Sequence, residues 1–359
     1  MRMQKSDGMR YAPKGKPNPV CRPGDFRFAA IGLDHGHIMG MCNGLVEAGG
    51  ELAWVYDPDP GKLADFCKSF PEVKIASSEE MILEDASIHL VASAKIPVER
   101  CPLGLKVMDH GKDYFADKPI LTTLEQLQAA REKAAITGRK YAAYYSERLH
   151  VESAVYAGEL IRSGAIGRVV QVIGLGPHRL NAGSRPEWFF QKEKYGGILC
   201  DLGSHQIEQF LHYAGAEDAQ VLHSKVANYH HPEHPGLEDF GDASLLADNG
   251  ATHYFRVDWF TPDGLGAWGD GRTIILGTAG YIELRKYIDI GRDAGGDHLY
   301  LVDHKGEHHL PVHGKVGFPY FGQLILDCLN RTQTAMTQAH TFKAAELCIQ
   351  AEMQAVRVA

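Results

Sequence analysis

The sequence predicts an α/β fold: a doubly wound parallel sheet over 26–146, followed by an α+β domain with a mostly antiparallel open sheet over 147–359. Three observations predict it. A short apolar run from Phe26 to Ile31 meets a glycine turn and then a helical pattern. Strands and helices alternate from there to Tyr145. After Ser146 the strands follow one another across turn-length links, which suits antiparallel pairing.

Taken in order, residues 1–25 hold four prolines and little apolar periodicity, so they are expected to form an extended arm lying across their own domain or a neighbouring subunit. The first strand and its turn lead into a helix over 37–48. Residues 51–57 read as a second buried strand ending on Asp57. Pro58-Asp59-Pro60 then breaks the chain before a helix over 61–69. A helix near 78–84, a strand over 88–92, a helix near 99–110, a strand over 113–116, a helix over 123–137 and a strand over 140–145 complete the first domain. The second is expected to begin with one long helix over 150–163. Strands follow over 168–176, 220–228, 242–248, 251–258, 272–276, 280–284, 286–291 and 298–303. Helices near 319–331 and 341–356 close it.

Composition narrows the function. The 359 residues are enough for two domains, and 37 basic against 45 acidic side chains give a net charge of −8, which disfavours nucleic acid and anionic lipid as partners. No apolar run approaches the roughly 18 residues that a membrane-spanning helix needs. The seven cysteines are odd in number and lack any C-x-x-C pair, so neither a disulfide framework nor a zinc knuckle is expected. Residues 1–25 lack the apolar stretch of a secretory signal, and the expected location is the cytoplasm.

The chemistry starts at the turn Gly32-Leu33-Asp34-His35-Gly36-His37. Backbone N–H groups at a helix N-terminus can bind a pyrophosphate where no side chain blocks approach. Asp34 stands where a strict G-x-G-x-x-G would have its second glycine. Asp57, 25 residues after Gly32 at the end of the second strand, can accept hydrogen bonds from adenosine ribose hydroxyls while repelling a 2′-phosphate, which favours NAD over NADP. Ala94, just past the strand over 88–92, is expected beside the same cofactor.

Two further segments carry a family resemblance. Asp117-Lys118-Pro119 and the stretch from Tyr195-Gly196-Gly197 to Asp201-Leu202-Gly203-Ser204-His205 resemble two motifs of the Gfo/Idh/MocA oxidoreductases, Glu-Lys-Pro and a glycine run followed by Asp-x-Gly-x-His. The resemblance runs over about 26–357 and includes the glycine pairs Gly164/Gly167 and Gly277/Gly280. It implies a Rossmann domain that binds a nicotinamide cofactor, contacted by Asp117 and Lys118 as well as the turn. It also implies a C-terminal domain whose sheet mediates a homodimer or homotetramer, and hydride transfer to or from a sugar, sugar acid or cyclic polyol. The matching catalytic positions are Lys118, Asp201 and His205. This chain departs from the pattern in having Asp117 for Glu, Tyr195 for a glycine, Glu208 where Asp is frequent, and Arg100 near the place of a common His.

Oxidation of a secondary alcohol needs a base for the hydroxyl proton and a donor that stabilises the developing alkoxide. His205 suits the first role because imidazole titrates near neutral pH. Asp201, four residues earlier, would orient it from the same face of a helix. Lys118 would donate to the hydroxyl. The segment from His178 to Trp188, with Arg179, Asn181 and Arg185, is dense in hydrogen-bonding groups and carries an indole, which makes it the candidate substrate loop. Tyr145, Arg148 and Lys95 are further candidates. The histidine groups His230/His231/His234 and His308/His309/His313 lack helical i,i+4 spacing and companion cysteines, and no metal is expected. Cys200 reads as packed core. Two other readings use the same motifs: a glycosidase or lyase that oxidises its sugar transiently, and a non-catalytic NAD-binding sensor.

Overall fold

A computed structural model describes residues 6–358. The chain forms two compact units, one of residues 9–144 with 318–342, the other of residues 6–8 with 145–317 and 343–358.

In the first unit, β1 (Arg27–Ile31), α1 (His37–Glu47), β2 (Glu51–Tyr56), α2 (Pro60–Ser69), β3 (Lys74–Ile75), α3 (Glu79–Glu84), β4 (Leu90–Ser93), α4 (Pro97–Asp109), β5 (Asp113–Asp117), α5 (Leu124–Thr137) and β6 (Tyr141–Tyr144) alternate. The six strands are parallel in the order β3-β2-β1-β4-β5-β6, the doubly wound arrangement the alternation predicts. The two-residue β3 has too little pattern to be read from sequence. β1, β4, β5 and β6 are almost wholly buried, which their unbroken apolar runs require of central parallel strands. Capping follows side-chain chemistry. Asp59 accepts hydrogen bonds from Gly61 and Lys62 N–H at the start of α2, and Thr123 accepts one from Gln126 N–H at the start of α5.

After Tyr145 the second unit has α6 (Ser146–Leu149), an additional short helix, and α7 (Glu152–Arg162), the helix expected over 150–163. There follow β7 (Val169–Pro177), α8 (Lys192–Tyr195), α9 (Ile198–Asp201), α10 (Gly203–Ala214), β8 (Ala219–Ala227), β9 (Phe240–Ala247), β10 (Thr252–Asp258), β11 (Arg272–Gly277), β12 (Gly280–Arg285), β13 (His298–Asp303) and β14 (Gly306–Pro311). Two further helices, α11 (Pro319–Asn330) and α12 (Gln338–Met353), precede β15 (Val356–Arg357).

The nine-stranded sheet runs β14-β13-β12-β11-β7-β10-β9-β8-β15, antiparallel except where β7 meets β10 and β8 meets β15. The strand expected over 286–291 does not form. That stretch carries only a single bridge between Asp289 and Asp293, and the edge strand is β14 instead. Three consecutive polar residues, Glu307-His308-His309, break the alternation that marks a strand and hid it.

The helix α11, expected to go with the second domain, belongs to the parallel-sheet unit. Gly44 of α1 lets it approach closely, since a Cβ there would lie 2.4 Å from the Phe321 ring. Phe321 meets Tyr144 and Phe115 in an aromatic cluster, and Arg331 pairs with Asp113 at 2.6 Å. Residues 1–5 of the expected arm lie outside the described residues. Asn18 and Val20 donate backbone hydrogen bonds to Glu47 and Ala48, so this part of the arm lies along the end of α1.

No helix of the described residues is long and apolar enough to cross a membrane.

Candidate active site

The glycine turn sits at the carboxyl end of β1, where open parallel sheets bind ligands. Gly32 adopts φ +78°, and a Cβ there would lie 2.1 Å from Lys95 Cγ, so any larger residue would be both strained and blocked. The turn is tied to its neighbours on both sides. Gly32 N–H donates to Tyr56 O, Ala94 N–H to Gly32 O, and His35 N–H to Ala94 O. Asp57 is buried and accepts from Leu33 N–H at 2.7 Å and Asp59 N–H at 2.9 Å, one on each oxygen. A carboxylate has two acceptor positions per oxygen, so capacity for ribose hydroxyls remains. Asp34, in the place of a glycine, pairs with Lys62 at 2.5 Å, and Lys62 Nζ also lies 3.8 Å from Asp57. The remaining acceptor capacity of Asp57 fits a cofactor ribose at the end of β2.

His35, His37 and Asp117 come together beside this turn. Asp117 is fully buried. Its Oδ1 lies 2.8 Å from His37 Nδ1, and its Oδ2 lies 3.3 Å from His35 Nδ1 and accepts from Arg100 Nη2 at 2.9 Å. Burial alone would raise the Asp117 pKa, but His37 and Arg100 bring it well below the usual carboxylate range. Burial, reinforced by His37, pushes the His35 pKa well down despite Asp117. A guanidinium on one carboxylate oxygen and an imidazole on the other leave this trio poorly suited to a cation. Arg100 also donates to Lys95 O and Pro119 O, bracketing Lys118 from both sides in sequence. Lys118 itself is buried at the carboxyl end of β5.

In the second unit, the glycine run leads through α9 into α10. Asp201 is the last residue of α9 and His205 lies in the first turn of α10, so the two stand on successive helices joined at Leu202 rather than on the single helix expected. α10 packs close to the sheet because β7 carries glycines beneath it: a Cβ at Gly174 would lie 2.2 Å from Gln206 Oε1. Gly197, at φ +92°, is cradled by Glu352, whose carboxylate accepts from Leu199 N–H, while Glu238 accepts from Ile198 N–H. Tyr195 is buried, donating to Gly236 O and accepting from Glu238 N–H. Cys200 is buried, and burial raises its thiol pKa well above the ordinary value.

A buried charge network surrounds His205. Glu147 Oε2 accepts from Lys286 Nζ at 2.8 Å and from Gln206 Nε2 at 3.1 Å, and Lys286 also donates to Gln209 Oε1 at 2.7 Å. Gln209 Nε2 returns a bond to His205 O at 2.7 Å. Burial would raise the Glu147 pKa, but Lys286, His205 and His178 together depress it. Arg148 grips Glu208 in a fork, Nε to Oε1 at 2.8 Å and to Oε2 at 2.9 Å.

His178 stands between indoles, 4.4 Å from Trp268 and 5.5 Å from Trp259 between ring centroids. The expected indole, Trp188, packs instead on Phe189 in a short 3-10 turn. Arg179 holds chain rather than open space: its guanidinium donates to the carbonyls of Ser6, Pro262, Leu265 and Ala267. Arg185 donates to Leu180 O, lies 3.6 Å from Asp7 and covers the rings of Phe189 and Trp259. Asn181 takes a left-handed conformation that turns the loop. Tyr145 is buried, and its carbonyl accepts from Arg148 and Leu149 N–H. His231 pairs with Asp239, and His298 with His309, so both expected histidine groups contain members held by local partners.

Sequence reading missed Glu147, Lys286, Lys62, Trp259 and Trp268. Each depends on contacts between segments far apart in the chain, for which no local pattern is a signal.

A glycine turn at the carboxyl end of β1 in a doubly wound sheet, with an acid just past β2, defines a dinucleotide-binding domain. Residues 26–145 match the oxidoreductase family with an NAD-binding Rossmann fold, and residues 155–283 match the GFO/IDH/MocA C-terminal domain. The chain belongs to the Gfo/Idh/MocA family. A crystal structure from Erwinia carotovora atroseptica, described as an oxidoreductase, is 55% identical, with TM-score 0.91 over 93% of this chain and 100% of that one. The scyllo-inositol 2-dehydrogenase (NAD(+)) of Bacillus subtilis is 26% identical over 240 residues, 65% of this chain. The match spans just under two thirds of that relative, 66% of its length. A levoglucosan dehydrogenase crystallised with NADH and levoglucosan shares the fold at 16% identity, with TM-score 0.76 over 91% of this chain and 97% of that one.

Proposed function

We propose that the chain is an NAD-dependent dehydrogenase acting on a secondary alcohol of a sugar or cyclic polyol, with Lys118, Asp201 and His205 as its catalytic set. The observation that carries this reading is the anchoring of Lys118. Asp117, held by His37 and Arg100, fixes the backbone that delivers this lysine to the carboxyl edge of the parallel sheet. When bound, NAD supplies the hydride acceptor. Lys118 donates a hydrogen bond to the substrate hydroxyl and stabilises the oxygen as negative charge develops on it. His205 takes the hydroxyl proton, and Asp201 supports the charged imidazole. Gly32, Asp34, His35, Gly36, His37, Asp57 and Ala94 line the cofactor side. His178, Arg148 and Arg185 shape the substrate side. The inositol dehydrogenase relationship supports the substrate class.

The open sheet face supports self-association. Cross-strand register places Leu246, Tyr254, Ile274, Leu276 and Tyr281 on one side, each more than a third exposed, while Phe255 and Ile275 are buried on the other. We assign this face to a homodimer or homotetramer and the enzyme to the cytoplasm.

The test is incubation with NAD and a panel of free sugars, sugar acids, inositols and simple glycosides, following nicotinamide absorbance and product mass together. Stoichiometric NADH with a product two hydrogens lighter is expected. Cleaved glycoside without NADH would overturn net oxidation in favour of a transient redox cycle.

A further inference from the structure

Asp201 closes a helix of only four residues, and so short a helix does not hold itself, because nucleation fixes several backbone angles for each hydrogen bond gained. Asp201 N–H donates to Gly197 O and Leu202 N–H to Ile198 O, both at 2.9 Å. The rest of the anchoring comes from outside α9. Glu238, just ahead of β9, accepts from Ile198 N–H at 3.0 Å, and Glu352 of α12 accepts from Leu199 N–H at 3.1 Å. Gly197 leaves room for the second carboxylate, since a Cβ there would lie 2.2 Å from Glu352 Cδ.

Lys192, on the other side of the glycine run, joins the two carboxylates. Its Nζ lies 2.6 Å from an oxygen of each, and Arg357 Nη2 lies 3.0 Å from Glu238. Packing by itself does not call for this arrangement. Glu238 has no exposed surface and the Glu352 side chain little, and two like charges sharing such a place are costly. Burial and Glu238 raise the Glu352 pKa to about 7 against the pull of Lys192. An apolar side chain at the end of α12 would avoid that cost. What two carboxylates supply instead is a pair of directional acceptors on successive N–H groups at the start of α9.

Resting on the dehydrogenase reading above, in which Asp201 supports the charged His205, we infer that Glu352 is a positioning residue for the reaction: with Glu238 and Lys192 it clamps the start of α9, and the α9 backbone sets where the Asp201 carboxylate stands. Glu352 acts through that backbone and contributes no group to the chemistry.

The experiment is a double-mutant cycle on the full chain, with NAD and whichever compound of the panel above, myo-inositol first, is turned over fastest. Glu352→Ala is expected to lower kcat by about tenfold to a hundredfold, the scale of a small displacement of a catalytic group. KM should stay within about threefold. NAD affinity, read by calorimetry, should not move, because Glu352 and the dinucleotide turn belong to different units. Glu352→Gln, whose amide oxygen can still accept from Leu199 N–H, should restore most of kcat. In an Asp201→Asn background the effect of Glu352→Ala should shrink to about twofold or less, since residues that act through one another are not additive. Should Glu352→Ala fail to fold, Glu352→Leu fills the space without an acceptor and carries the same expectations.

An unchanged kcat in Glu352→Ala, the same loss with and without Asp201→Asn, or a Glu352→Gln variant as impaired as Glu352→Ala overturns the inference and leaves the dehydrogenase reading standing. An unchanged kcat in Asp201→Asn removes Asp201 from the catalytic set and overturns the inference with it. No NADH from any compound of the panel overturns the dehydrogenase reading and everything that rests on it.

Discussion

Arg100 and Asp117 form an ion pair with no access to solvent, Nη2 to Oδ2 at 2.9 Å, directly beneath the residue proposed to contact the substrate hydroxyl. The pair ties α4 to the end of β5, and the same arginine donates to Lys95 and Pro119 carbonyls. Removing the guanidinium would strand a buried carboxylate and free the segment carrying Lys118. Arg100→Met is expected to destabilise the protein by about 3–5 kcal/mol, the usual cost of breaking a buried pair from one side. Denaturant unfolding checks it, and a loss below about 1 kcal/mol would show the pair to be dispensable.

Asp57 joins cofactor recognition to local folding. Its two oxygens accept Leu33 and Asp59 N–H. Asp57→Ala should therefore weaken NAD binding and also lower stability by about 1–3 kcal/mol, because the buried Leu33 N–H loses its acceptor. Calorimetric NAD titration beside a thermal melt separates the effects. Weaker NAD binding with an unchanged melt would contradict the structural half.

Lys118→Ala and His205→Ala are expected to lower kcat by about a hundredfold to ten-thousandfold, the range for loss of a positioned acid or base. NAD affinity of His205→Ala should stay near that of the unaltered enzyme, since His205 lies in the unit apart from the dinucleotide turn. Unchanged turnover in both variants would remove Lys118 and His205 from the catalytic set, whereas absence of turnover in the unaltered protein would favour a sensor.

Glu352 gives stability a pH dependence. Burial and the neighbouring Glu238, opposed by Lys192, raise its pKa from 4.5 to about 7. The folded state thus binds a proton more tightly than the unfolded chain. The contribution is complete below about pH 4.5 and is lost as pH rises through about 7. Glu352→Gln should flatten the fall in denaturant midpoint between pH 5 and 8. An identical slope in both proteins would assign the dependence to other groups.

The open sheet face predicts association. Tyr254→Lys together with Leu276→Lys places charge at the middle of the apolar surface and should convert an oligomer to monomers in light scattering, with the fold intact by circular dichroism. A monomeric mass for the unaltered protein would remove the proposed interface.

The amino-acid sequence by itself determined the parallel sheet, most of the antiparallel one and the positions of the glycine turn, Lys118, Asp201 and His205. These rest on periodicity, glycine placement and short motifs, all of which are local. Tertiary structure alone decided the rest. α11 follows the second domain in sequence but joins the first unit, because Gly44 opens a place for Phe321 that no pattern along either helix announces. The polar run of β14 became a strand only by pairing with β13. Asp201 ends α9 and His205 lies in the first turn of α10, two helices that meet at Leu202. Arg179, which resembled a substrate ligand, was turned onto main-chain carbonyls, whereas Glu147, which looked ordinary, was brought to Lys286, 139 residues away. A buried charge takes its role from the partners that replace its water, and those partners are chosen by the fold.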